Sequence, residues 1–200
     1  MIPTSGCGAE SPWSPREAEL LAVTLELLQE HGYDRLTVDA VATTARASKA
    51  TIYRRWPTKA ELVLAAFVEG TRHVAVDPDT GTLREDLLRL GEQITAHVST
   101  HASTIRAVLV EVSRSAELDA MMQEQFFDQR KALMAHVLKR AVERGEITAS
   151  AVTEEFWDVL PGYLIYRSVL AGRVPSRRTV EDLVDNLLMP GLTRHNAPRE

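Results

Sequence analysis

The chain has 200 residues, of which 44% are hydrophobic and 26% charged, and a formal net charge of −5. That length allows one or two domains with a real core, and the composition excludes wholesale disorder. No run reaches the ~18 apolar residues of a membrane span, and the lone Cys7 excludes an internal disulfide or a cysteine metal cage. The opening MIPTSGCGAESPWSP has neither a basic nor an apolar signal region. We expect a soluble, cytoplasmic protein without membrane contact.

The first dozen residues are rich in Ser, Gly and Pro and read as a mobile tail. Ser14-Pro15-Arg16-Glu17 then has the form of a helix start: Ser14 as cap, Pro15 at the first helical position, Glu17 completing a capping box. Ala18, Leu21, Leu25 and Leu28 follow at three- and four-residue spacing, and Gly32 ends the helix. Thr37 caps a short second helix with Val41 and Ala42 inward. After a break near Arg46-Ala47, Ser48 caps a third, which Pro57 ends. Thr58 to Glu61 forms another capping box and opens a helix to about Val74.

Asp77-Pro78-Asp79-Thr80-Gly81 is a turn cluster, and the domain seam is placed near it, separating residues 12–72 from 73–200. Beyond it the pattern predicts helices from about Thr82 to Ser99, Ser103 to Arg114, Glu117 to Arg144, Thr153 to Ala171 and Thr179 to Leu192. Pro161-Gly162 is expected to kink or interrupt the fourth of these. No sustained alternating run occurs, so the fold class is all-α, with about nine helices.

Charge is segregated. Between residues 35 and 59 stand six cations (Arg35, Arg46, Lys49, Arg54, Arg55 and Lys59) against one anion, Asp39. A basic island on an acidic body suits contact with a polyanion at one place. Residues 37–55 read as a helix-turn-helix, whose second helix enters the major groove of DNA. With Ile52 turned to the core, Ala50, Thr51, Tyr53 and Arg54 lie on the opposite side, and Trp56 returns inward. Arg54 suits a guanine edge or a phosphate, and Ala50 and Thr51 suit a thymine methyl. Tyr53, Thr37 and Lys59 suit phosphates. Lys49 adds to the same surface.

Gly32-Tyr33-Asp34-Arg35-Leu36-Thr37-Val38, Ala42, and the run from Ser48 through Thr51-Ile52-Tyr53, Trp56 and Lys59 to Glu61-Leu62 resemble the amino-terminal domain of the TetR family of bacterial regulators. The match covers roughly residues 14–68. One departure stands in the interhelical turn, where the family usually has glycine and this chain has Arg46. Either Arg46 bears a strained or altered turn or the turn closes differently, and its guanidinium is a candidate phosphate contact. The resemblance implies a three-helix DNA-binding domain followed by a helical-bundle domain for ligand binding and dimerisation. It further implies a homodimer on double-stranded DNA with a near-palindromic operator, its reading helices ~34–36 Å apart, and a small-molecule effector that releases it. The family's last two helices form the dimer bundle, which here would use Leu160, Tyr163, Leu164, Arg167, Leu183 and Leu187.

Met121, Met122, Phe126, Met134 and Trp157 are the candidate walls of an effector pocket, since methionine and aromatic side chains make adaptable linings, although the same spacing also suits ordinary core. His97 and His101 are spaced for a metal, with Glu92 or Glu111 as a third ligand, yet two histidines alone read better as a solvated face, and no metal or cofactor is expected. No phosphate-cradling loop, G-x-S-x-G or H-E-x-x-H motif occurs, so an enzyme finds no positive support and no catalytic residue is expected. A DNA-binding or adaptor module without a ligand cavity is the remaining alternative.

Overall fold

The computed structural model describes residues 11–72 and 76–193, apart from the side chain of Glu154. Residues 1–10 of the tail, Cys7 among them, therefore lie outside the described residues. Every regular element among the described residues is helical. The first is α1 (Pro15–His31), with the expected capping box between Ser14 and Glu17. Gly32 ends it at φ 76°, a left-handed backbone that glycine adopts without penalty. Next come α2 (Val38–Thr44), capped by Thr37, and α3 (Lys49–Arg55), capped by Ser48. Thr58 caps α4 (Lys59–Thr71), but the box there is one-sided, because Glu61 accepts from the Thr58 hydroxyl. Leu62 to Val68 are buried without interruption, as expected of a helix that is apolar all round.

The fifth helix, α5 (Leu83–Val112), joins two segments that the sequence separates. What divides them is a local kink at His101 (φ −115°, ψ 16°), not a loop. Then follow α6 (Ala116–Met122), a π-helical turn (Gln123–Phe127) and α7 (Asp128–Glu143). The helix α8 (Glu154–Ile165) leads into a second π turn (Tyr166–Leu170), and α9 (Arg177–Leu183) reaches α10 (Met189–Thr193) through a third (Val184–Leu188). At Pro161-Gly162, where a kink or an interrupted ladder is expected, α8 continues through both residues. Proline there removes one ladder bond without ending the helix.

The described chain forms two compact units. One combines α1 to α4 with Ser103–Gln125, and the other takes the remainder. A seam in the seventies alone would leave Ser103–Gln125 with the second domain. Packing assigns it to the first, since α6 lies on α4 and buries Leu118 and Met122.

The second unit is held by an apolar core from α5, α7, α8 and the α9–α10 rod, including Leu87, Leu138, Leu160, Leu164 and Val184. A polar network ties α5 to α7. Asp86, fully buried, accepts from the Thr80 N–H (2.8 Å) and hydroxyl (2.7 Å) and lies 3.4 Å from the Arg144 guanidinium. Arg140 forks onto Asp77 through two 2.6 Å bonds, and Glu146 accepts the Leu83 N–H at 2.7 Å. A buried carboxylate with this many donors is compensated for its lost hydration.

Candidate nucleic-acid interface

The first unit presents α3 on its surface because the helix has one strongly apolar side. Ile52 is fully buried and Trp56, just past its end, is 3% exposed. Burial of each contributes roughly 1.5–3 kcal/mol. Their inward direction turns Lys49, Ala50, Thr51, Tyr53 and Arg54 to solvent, and the Tyr53 ring is 46% exposed. The preceding turn adds Arg46, and Thr37 at the start of α2 is exposed as well. The residues proposed from sequence as DNA contacts therefore share one unit.

Their electrostatic states differ, and this the sequence did not reveal. The Lys49 ammonium pairs with Asp39 across α2 and α3, which raises its pKa through that hydrogen bond. Arg55 donates to Glu17 at 2.9 Å. The Lys59 ammonium donates to the Tyr33 carbonyl at 2.6 Å and sits 4.2 Å from that ring's centroid, so part of its donor capacity is engaged within the protein. Among the described residues, the guanidinium groups of Arg46 and Arg54 have no ion pair. The Thr37 and Thr51 hydroxyls each serve caps: Thr37 Oγ1 accepts from the Ala40 N–H at 3.1 Å, and Thr51 Oγ1 lies 2.9 Å from Ser48 Oγ.

Of the two readings of the turn, the structure takes the strained one. Arg46 has φ 49°, left-handed backbone disfavoured for any residue with a Cβ. The turn closes as Ala47 N–H donates to Ala42 O at 2.9 Å and Arg46 N–H to Thr43 O at 3.2 Å.

The pocket candidates are dispersed. Met121 and Met122 belong to the first unit, whereas Phe126, Met134 and Trp157 belong to the second. Met122 and Met134 are 2% and 6% exposed, and Met134 is part of the second unit's core. The dimer candidates need correction. Leu160 and Leu164 are fully buried in their own chain, and Leu183 is 3% exposed, so these three fill the internal core and leave almost nothing for a partner to touch. The outward residues of the same helices are different. Leu187, in the π turn after α9, is 62% exposed, and Tyr166 and Leu170, in the π turn that extends α8, are 57% and 71% exposed. A groove of about 430 Å³ between α8 and α9 is lined by Tyr163, Arg167, Asp182, Asn186 and Leu187, with Leu183 at its floor. The Arg167 guanidinium donates to the Tyr163 hydroxyl at 3.0 Å.

His97 and His101 stack with ring centroids 4.5 Å apart. Burial, then the neighbouring His101 and Arg130, push the His97 pKa down to about 4. Burial lowers His101 as well. The two imidazoles are thus held neutral, and among the described residues no group of three or more His, Cys, Asp or Glu assembles around them. No described helix is long and apolar enough to cross a membrane.

Comparison with known proteins agrees with this geometry. Residues 20–66 match the family described as bacterial regulatory proteins, tetR family, and residues 77–187 match the tetracyclin repressor-like C-terminal domain. An uncharacterised HTH-type transcriptional regulator of Mycobacterium tuberculosis is 67% identical over 184 residues, covering 92% of this chain and 91% of the relative. A DNA-binding transcriptional repressor of Mycobacteroides abscessus is 34% identical over 181 residues, covering 88% of this chain and 95% of the relative. The crystal structure of a TetR family transcription regulator superposes with a TM-score of 0.76 at 29% identity, covering 89% of this chain and 98% of that one.

Proposed function

Because the chain belongs to the TetR family of DNA-binding transcriptional regulators, we propose that it acts as a homodimeric repressor on a near-palindromic operator and that a small molecule releases it. The observation that carries the DNA-binding part is the solvent face of α3. Ala50, Thr51, Tyr53 and Arg54 stand opposite the buried Ile52, with the unpaired Arg46 in the turn beside them. Arg54 and Arg46 supply the salt-sensitive phosphate attraction, together with Lys49 and the remaining donors of Lys59. Tyr53 and Thr37 position the backbone, and Thr51 and Ala50 meet base edges.

The repressor role is supported by the relative described as a repressor, which shares 34% of its residues with this chain over most of both lengths. The homodimer is supported by the exposure of the large apolar side chains Tyr166, Leu170 and Leu187 on the extensions of α8 and α9, since exposed apolar surface marks interaction sites. Effector release follows the habit of the family. Phe126, Met134 and Trp157 are the pocket candidates that remain together in the second unit. For a ligand to regulate, it must favour a dimer geometry whose reading helices miss the half-sites.

Selection of bound sequences from random duplex DNA, repeated with a panel of metabolites, tests the operator and the effector together. The expected result is a near-palindromic site whose recovery one compound abolishes. Failure to enrich any sequence at low salt overturns the reading, and enrichment that no compound alters removes the effector from it.

A further inference from the structure

The start of α1 touches both ends of α3. At one end the Arg16 guanidinium donates through Nη2 to the carbonyl oxygens of Ala45 (2.5 Å), which ends α2, and of Arg46 (3.1 Å), the left-handed residue after it. At the other, Glu17 Oε1 accepts from Arg55 Nε at 2.9 Å. The Arg55 guanidinium lies 4.6 Å from the centroid of the Trp13 ring, which packs at 5.4 Å on Trp56. Glu17 is itself held, because its Oε2 accepts from the Ser14 N–H (2.8 Å) and hydroxyl (2.9 Å). The stretch from Trp13 to Glu17 thus grips the turn before α3 and the residues that end it.

Such a grip answers a physical need. A helix of seven residues is far below the ~12–15 that are marginal alone, and Ile52 is the side chain that α3 itself buries. One buried side chain fixes a helix's distance from the core but leaves its rotation and pitch loosely set. The turn that enters it also holds Arg46 at φ 49°, a conformation that persists only when its surroundings enforce it. Nη2 of Arg16 joins two carbonyl oxygens at once while its Nη1 donates to Glu19 at 2.5 Å, so the planar guanidinium is anchored on both sides and fixes their relative direction.

We propose that Arg16 is a positioning residue for sequence recognition: it enforces the left-handed turn before α3, while Glu17, Arg55 and Trp13 hold the far end, so discrimination among DNA sequences depends on side chains that read no base. This rests on the DNA-binding reading above.

The probes are a duplex selected by the parent chain from a random pool and a non-selected duplex of equal length. Arg16→Ala is expected to weaken binding to the selected duplex about tenfold, as for a lost charge-assisted bond. Affinity for the non-selected duplex and the salt slope should stay unchanged, because Arg16 acts on protein carbonyls and not on phosphate. Arg46→Gly placed in the Arg16→Ala background should restore the ratio of selected to non-selected affinity, since glycine holds the turn unaided. If Arg16→Ala lowers the salt slope by about one, the residue is a phosphate contact and the proposal fails. It also fails if the ratio is unmoved by Arg16→Ala, or if Arg46→Gly does not restore it. Should Arg16→Ala not fold, Arg16→Lys applies the same criteria, because a single ammonium cannot bridge the two carbonyls while a second, coplanar nitrogen is held by Glu19. A parent that enriches no duplex overturns the regulator reading and this proposal with it. A parent that enriches one, while Arg16→Ala keeps its ratio, overturns the positioning role alone.

Discussion

Arg54 and Lys49 stand five residues apart on α3, yet their charges are not equivalent. Lys49 is held in an exposed ion pair with Asp39, whereas Arg54 has no ion pair among the described residues. Replacing Arg54 with Ala should therefore weaken binding across sequences and lower the salt slope by about one. Asp39→Asn should have the opposite sign: it frees Lys49, so affinity for duplex DNA at low salt rises and the slope steepens. Titration of both variants at several salt concentrations checks the pair, and an Asp39→Asn protein that binds more weakly would show that the ion pair orients Lys49. Arg46 illustrates a different cost. Its left-handed backbone is worth about 1 kcal/mol of strain, so Arg46→Gly should raise the urea midpoint while reducing DNA affinity. A lower midpoint would mean that the Arg46 side chain stabilises the fold by more than the strain.

At the level of elements, caps and stops were legible because they are local chemistry. Ser14, Thr37, Ser48 and Thr58 each accept from the backbone three residues on, as their positions in sequence indicate. The three π turns and the kink at His101 carry no such signature. An extra residue in one helical turn reflects which side chains must face the core on either side of it, and that is settled by packing. Close approach of helices is equally silent in the sequence. A Cβ on Gly91 of α5 would meet Val180 Cγ1 of α9 at 2.3 Å, so Gly91→Ala should destabilise the protein by roughly 1–3 kcal/mol through overpacking, read as a lower midpoint in urea. The stacked histidines of α5 make a pH prediction. With a folded pKa near 4 against an unfolded value near 6.5, His97 binds its proton more readily in the unfolded chain. Stability should then be full above about pH 6.5 and fall as pH drops toward 4. His97→Gln should flatten that fall in a series of thermal melts; an unaltered pH profile would remove His97 as its source.

At the scale of the whole molecule, the apolar side chains left open to a second copy are not the leucines that the family resemblance implies. Leu160, Leu164 and Leu183 are the interior of the second unit. Tyr166, Leu170 and Leu187 are what another copy could touch. Leu187→Glu should therefore yield a folded monomer in sedimentation with weakened operator binding, because both half-sites must be engaged together. Leu164→Glu should instead unfold the unit, since it buries a charge without a partner. A Leu187→Glu protein that remains dimeric would move the interface elsewhere.

The family, the all-α class, the reading helix and its outward residues were present in the amino-acid order, because they rest on periodicity, capping and a motif contained within residues 14–68. Tertiary structure alone decided which cations are spent inside the protein, which leucines are core, and that Ser103–Gln125 joins the first unit. The division has one cause. Helix formation depends on neighbours a few residues away, whereas pairing and burial depend on groups such as Arg16 and Arg46, or Leu83 and Glu146, that only the folded chain brings into contact.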